Sequence, residues 1–249
     1  MSDDSQDKAT RDLLSEKFES PPILPLELIQ HLKSGVPLDD NEFDQILPPL
    51  FRFLSPVHWT SIKVAQTLAE WLQPYKGKKF IDLGSGVGKL CILLRLLTDL
   101  EIYGVEQRRN LVAISDEIVS VNNLDRVKFS NGNLIDLNWA DYDIYYLYNP
   151  FQEHVSALNA FLIDSNIKMS TDHYRQYIAK VSEELKKAKE GTVLITYHGY
   201  GGSTNKFWKL IHSQFIEGGF LCMWIKDSKQ SNTRTTSVPS FFKFFSEES

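Results

Sequence analysis

The run FIDLGSGVGKL, residues 80–90, limits the fold more than any other stretch of the chain. It opens with an apolar pair, passes Asp82, threads Gly84, Gly86 and Gly88 on alternate positions, and resumes as KLCILLRLL. That order reads as a strand, a glycine turn and a helix. Glycine reaches positive φ without strain and carries no Cβ, so such a turn lets a ligand approach bare backbone.

The same alternation continues downstream. KFIDLG, EIYGVE, VKFSNG, DIYYLYNPF and GTVLITYH are short β-rich runs separated by helix-patterned stretches. Strand alternating with helix implies βαβ units and a parallel sheet covered on both faces. GFLCMWIKDS and TRTTSVPSFFKFF have no helical pattern between them. They are expected to form a terminal antiparallel hairpin over 220–227 and 234–245. The fold class is therefore α/β, a Rossmann-like, mostly parallel sheet of seven strands. Ahead of it lie PPILPLELIQHLKSG and DDNEFDQILPPLFRFL, short helices broken by prolines. SPVHWTSIKVAQTLAEWLQP follows, with the apolar stripe Ile62, Val64, Ala65, Leu68 and Leu72, and Pro74 to stop it. A chain of 249 residues suits one domain with an appendage. The division expected is a helical N-terminal segment or lid, 1–55, and a cofactor-binding domain, 56–249.

Charge narrows the partners. A net charge of −5 supplies no global field toward nucleic acid or anionic membrane. KGKK at 76–79 and KKAK at 186–189 are short and read as solvated faces. Cys91 and Cys222 sit in apolar runs and cannot build a disulfide framework or a thiolate zinc site, so both are expected to be buried. MSDDSQDKAT lacks the basic and apolar regions of a signal peptide, and no apolar run has the length of a membrane span. The expected compartment is a reducing cytoplasm, with no metal site and no membrane partner.

The turn itself selects a ligand class. A P-loop needs Gly-Lys-Ser/Thr, whereas Gly88-Lys89 precedes Leu90. A dinucleotide fingerprint needs G-x-G-x-x-G, whereas this chain has G-x-G-x-G with Asp82 two residues before it. A carboxylate there repels a pyrophosphate and suits a cation. A nucleoside with an amino-acid tail satisfies both facts. Glu106 ends the next strand, 22 residues after Gly84, where an acidic side chain can accept two ribose hydroxyls. Asn133, past the third strand, suits an adenine amino group because an amide both donates and accepts.

Asp82-Leu83-Gly84-Ser85-Gly86-Val87-Gly88, followed by Gly104-Val105-Glu106, resembles the class I S-adenosylmethionine-dependent methyltransferases over roughly residues 55–200. The resemblance implies S-adenosyl-L-methionine as cofactor. Within that superfamily the motifs are most similar to the non-SET histone-lysine methyltransferases, the disruptor-of-telomeric-silencing type. That type carries a Thr-Ser pair matched by Thr60-Ser61, which places Thr60 at the cofactor. Its fourth strand ends in Asn-Asn-Phe beside the transferred methyl and the lysine channel, and Asn149-Pro150-Phe151 match it here. Trp59 stands where that family has an acidic residue, the long helical insertion after the second strand is absent, and no basic tail is visible. Asn-Pro-Phe also resembles the signature of enzymes that methylate planar or amide nitrogens.

Methyl transfer asks mainly for collinear placement and exclusion of water. Tyr148, Asn149 and Phe151, at the carboxyl end of the fourth strand, are the candidates to hold the acceptor, with Asn149 also near the cofactor. Tyr145 and Tyr146 read as core strand residues. His154 and His198 are possible bases whose commoner role is a solvent-facing strand end. Lys89 reads as a surface charge. The expected activity is methyl transfer to a protein lysine. The alternatives are a small-molecule or nucleic-acid-base acceptor, or a non-catalytic cofactor-binding module.

Overall fold

A computed structural model describes residues 18–149, 170–204 and 206–228. Seven strands form one sheet: β1 (Lys79–Leu83), β2 (Glu101–Glu106), β3 (Val127–Asn131), β4 (Ile144–Tyr148), β5 (Val193–Tyr197), β6 (Trp208–Ile216) and β7 (Gly219–Lys226). Their spatial order is β3-β2-β1-β4-β5-β7-β6. The first five are parallel, while β7 runs antiparallel to β5 and β6 antiparallel to β7. Strands covered on both faces read as unbroken apolar runs, and β5 is buried along its whole length. The order reverses between β1 and β4. In such a sheet, ligands bind outside the carboxyl ends of the strands at that point.

The helices are α1 (Leu26–Ser34), α2 (Asp40–Asp44), α3 (Pro49–His58), α4 (Ile62–Trp71), α5 (Lys89–Leu97), α6 (Arg109–Val121) and α7 (Thr171–Lys187). Ser61 caps α4 by accepting from the Val64 N–H, and Ile62, Val64, Ala65 and Leu68 are buried as the apolar stripe predicts. Two cores lie across the sheet. One joins Phe80, Ile102 and Tyr146 to α4, α5 and α6, and it takes in Leu28, Phe43, Leu47 and Phe51 of the N-terminal segment. The other packs Ile81, Leu83, Tyr145 and Leu147 against Val181 and Leu185 of α7. Tyr145, Tyr146, Cys91 and Cys222 are all buried.

Two expectations are corrected. The hairpin partner of 220–227 is β6, not 234–245. Glu217 and Gly218 form its two-residue turn, with φ of 48° and 83°, the geometry that matches strand twist in tight hairpins. Residues 234–245 lie outside the described residues, and both edges of β7 are already paired. Nor is Lys89 a surface charge. Its side chain is 1% exposed, its Nζ lies 2.5 Å from Asp40 and 2.8 Å from Asp44, and it donates to Ser55 Oγ at 3.0 Å. The partners lie more than thirty residues away along the chain, so local pattern gave no sign of them.

Asp44 is buried with this lysine, and burial raises its carboxyl above the usual range against the pull of Lys89. Removing one member of a buried pair leaves the other uncompensated. Lys89→Met should therefore cost roughly 3–5 kcal/mol of stability, and adding Asp44→Leu should recover part of the loss. Urea denaturation of the two variants measures this, and a Lys89→Met variant as stable as the parent would contradict it.

Candidate functional site

The glycine turn stands at the carboxyl end of β1. Gly84 and Ser85 both donate their N–H groups to the Val105 carbonyl, at 2.9 and 3.0 Å, which fastens the turn to β2. Gly88 caps α5 with φ 76°, and a Cβ there would lie 2.5 Å from Phe129 Cζ. Gly86 has φ 55°, and a Cβ there would run into the Trp59 indole, 2.7 Å from its Cδ1. Larger residues at these two positions would meet both backbone strain and a neighbouring ring.

Glu106 closes the other side. Its Oε2 accepts from the Gly86 N–H at 3.1 Å and its Oε1 from the Arg108 N–H at 2.9 Å. The Arg108 guanidinium lies 3.5 Å from the same carboxylate, with both side chains nearly buried. Asp82 is buried beside it, 3.8 Å from Cys91 Sγ. Burial first, and the Glu106 charge second, push its carboxyl up to about 7.

Other predicted residues are placed as follows. Thr60 is buried and its Oγ1 lies 2.7 Å from the Tyr146 hydroxyl. Asn133 donates to the Tyr177 hydroxyl at 2.8 Å and accepts from the Ile135 N–H at 3.2 Å, so its amide also ties the β3 end to α7. Asn149 has φ 37° and donates its N–H to the Gly199 carbonyl at 3.0 Å. Tyr148 packs against Tyr197, ring centroids 4.9 Å apart, and stacks on His198 at 5.7 Å and 23°. Pro150, Phe151 and His154 lie outside the described residues.

Sequence reasoning missed Tyr197 and Glu217. Tyr197 donates to the Ile216 carbonyl at 3.0 Å, and Ser61 hydrogen-bonds the Glu217 carboxylate. The hairpin turn thereby meets the start of α4 at the carboxyl ends of β4 and β5. The readable signal was Glu-Gly-Gly at 217–219 between two β-patterned runs.

The residues present fit S-adenosyl-L-methionine. Glu106 caps the β2 end beside the glycine turn and Asp82 supplies a second acidic group, the acceptors that two ribose hydroxyls and an ammonium need. The methyltransferase-domain family matches residues 74–231. A methyltransferase from Geobacter sulfurreducens superposes with a TM-score of 0.52 at 12% identity, over 85% of this chain and 100% of its own. TrmN from Thermus thermophilus gives 0.50 at 13% identity, over 71% of this chain and 52% of its own. An RNA methyltransferase from Salinibacter ruber, solved with S-adenosyl-L-homocysteine, gives 0.48 at 16% identity over 69% and 95%. Comparison with curated proteins gives no match.

The fold is that of the class I, Rossmann-like methyltransferases. The chain belongs to the methyltransferase-domain family, and its cofactor is S-adenosyl-L-methionine. Among the described residues no helix is long and apolar enough to cross a membrane.

The Asp82 environment has a consequence for stability. In the folded, cofactor-free chain the carboxyl keeps its proton to about 7, against an ordinary value of 3.8. Between those values the folded state binds more protons than the unfolded state, so stability falls as pH rises and levels off above the upper one. At about 1.4 kcal/mol per unit the whole fall is roughly 4–5 kcal/mol, of which about 2–3 kcal/mol lies between about pH 5 and about pH 8. Asp82→Asn should remove it. Denaturation at about pH 5 and about pH 8 tests this, and parallel pH profiles for parent and variant would refute the assignment.

Proposed function

We propose that the chain transfers a methyl group from S-adenosyl-L-methionine to an amine nitrogen, with a protein lysine as the acceptor. The observation that carries the reading is the aromatic wall of Tyr148, Tyr197 and His198 at the carboxyl ends of β4 and β5. When bound, S-adenosyl-L-methionine supplies an electrophilic methyl on a sulfonium, which an uncharged nitrogen attacks in line.

An amine arrives as an ammonium and must lose its proton. A desolvated, aromatic surround favours the neutral form. Burial, with the nearby Glu217 charge, raises the Tyr148 hydroxyl above its ordinary value, and partial burial lowers the imidazole of His198, whose outer edge stays exposed to solvent. Both side chains are then uncharged near neutral pH, and His198 can accept the proton the acceptor sheds. Asn149, in the turn where β4 ends, positions the acceptor, and the resemblance of Asn149-Pro150-Phe151 to the lysine-channel tripeptide assigns Phe151, outside the described residues, to the same task. Glu106 and Asp82 hold the ribose hydroxyls and the ammonium of the amino-acid tail, with Thr60, Gly84, Gly86, Gly88 and Asn133 completing the cofactor's surround.

The resemblance of DLGSGVG, GVE and the Thr-Ser pair to the non-SET lysine methyltransferases supports lysine over other amines. The net charge of −5 counts against a nucleic-acid acceptor. Incubation with methyl-labelled cofactor and whole-cell lysate tests the acceptor class. Label should enter protein and resist hydroxylamine, as a methylated amine does. Label in nucleic acid or small solutes would replace lysine with those acceptors, and absence of label would favour a non-catalytic module.

Asn149 provides the sharper test. Its left-handed backbone is tolerated by asparagine and glycine and strained for alanine. Asn149→Gly keeps the turn and removes the amide. Turnover should fall by about a hundredfold while cofactor affinity stays within about threefold. A fully active glycine variant would move the acceptor away from β4.

A further inference from the structure

Trp59 lies between α3 and α4, and the edge of its indole facing the glycine turn is the Nε1 edge. Trp59 as a whole is 8% exposed. Its place is fixed from both ends. The Trp59 N–H donates to the Ser55 carbonyl at 3.1 Å, the backbone is extended at φ −122°, and the next residue's hydroxyl is held by Tyr146. The ring packs against Phe51 and His58, with centroids 6.2 and 6.1 Å away.

The cofactor's amino-acid tail is a zwitterion, so its site needs a donor for the carboxylate as well as acceptors for the ammonium. The charged side chains at the turn are poorly suited to that role. Asp82 and Glu106 are themselves carboxylates. The Gly86 N–H is given to Glu106, and the Arg108 guanidinium is paired with the same carboxylate. Lys89 is held by Asp40, Asp44 and Ser55. Ser85 Oγ faces β2, 2.7 Å from where a Cβ on Gly104 would stand. An indole N–H is a donor only, and Trp59 packs the Nε1 edge of its ring against Gly86 in the glycine turn.

We propose that the Trp59 indole N–H binds the carboxylate of the cofactor's amino-acid tail, making Trp59 a cofactor-selecting residue of this chain. The proposal rests on the assignment of S-adenosyl-L-methionine as cofactor. It predicts discrimination between that molecule and decarboxylated S-adenosylmethionine, which keeps the sulfonium and ammonium and lacks only the carboxylate.

Calorimetry with both compounds on the full chain and on Trp59→Phe tests it. The parent should bind S-adenosyl-L-methionine roughly tenfold or more tightly than the decarboxylated compound, the scale of one hydrogen bond to a charged group. In Trp59→Phe the ring remains and the donor is gone. Affinity for the intact cofactor should fall by about that factor, with the decarboxylated compound bound as before. Equal affinity of the parent for both compounds would overturn the proposal, as would a variant that keeps the full preference or weakens both alike. Binding of neither by the parent would overturn the cofactor assignment itself. A second readout needs no variant. Among the indole N–H resonances of the chain's 5 tryptophans, one should shift with the intact cofactor and stay in place with the decarboxylated one. Five resonances that respond identically to both would also overturn it.

Discussion

Close approach of backbone at the glycine turn is the constraint on which the rest of the structure depends. Within three alternate positions the chain leaves β1, turns with three left-handed glycines, and starts α5. Neighbouring side chains fill the space those glycines leave. Phe129 from β3 lies over both Gly88 and Gly104, and Trp59 lies over Gly86. Glu106 then takes the Gly86 N–H, so one carboxylate braces the turn against the β2 end. A shape built from backbone and braced by neighbours is preorganised. A ligand entering it has little ordering left to impose, which is where affinity is usually lost.

The N-terminal segment belongs to this arrangement physically. Lys89 directly follows the last glycine, and its ammonium is neutralised by Asp40 and Asp44 rather than by solvent. Asp40 also accepts from the Ile62 N–H at 2.9 Å, which links the same ion pair to the start of α4. The segment therefore reaches the end of the turn through the buried charge on Lys89, and Trp59, a few residues after the segment, sets its indole on Gly86. A buried ion pair is a poor source of stability compared with apolar packing, but it is demanding in geometry. Here that demand falls on the register between α2 and α5.

How much of this was legible follows from sequence distance. The turn, β1 to β5 and the end of β2 were readable because each depends on neighbours a few residues apart. Asp82, the glycines and Glu106 come together because consecutive parallel strands bring their carboxyl ends side by side. The ion pair of Lys89 with Asp40 and Asp44 was not readable, since nothing local distinguishes a lysine that will be buried from one that will not. The terminal hairpin was misread for a different reason. Trp208–Ile216 has a broken alternation, with a register shift between Leu210 and His212, and most of its residues are exposed or half-buried. An edge strand of that kind carries a weak periodic signal, while the aromatic run near the carboxyl end carries a stronger one.

The carboxyl ends of β4 and β5 show the opposite balance between backbone and side chain. At the cofactor end, positive φ falls on glycines, where it costs nothing. At the ends of β4 and β5 and in the hairpin turn it falls on Asn149, His198 and Glu217, with φ of 37°, 57° and 48°. Non-glycine residues adopt that conformation at a cost, and they persist there when the surroundings fix them. Each is fixed by identifiable contacts: Asn149 by the Gly199 carbonyl, His198 by the Phe220 carbonyl and the Tyr148 ring, Glu217 by Ser61. Glycine would relieve the backbone at all three positions and remove the side chain at the same time. The chain retains an amide, an imidazole and a carboxylate around one aromatic wall, and those are groups that can orient an amine and handle its proton.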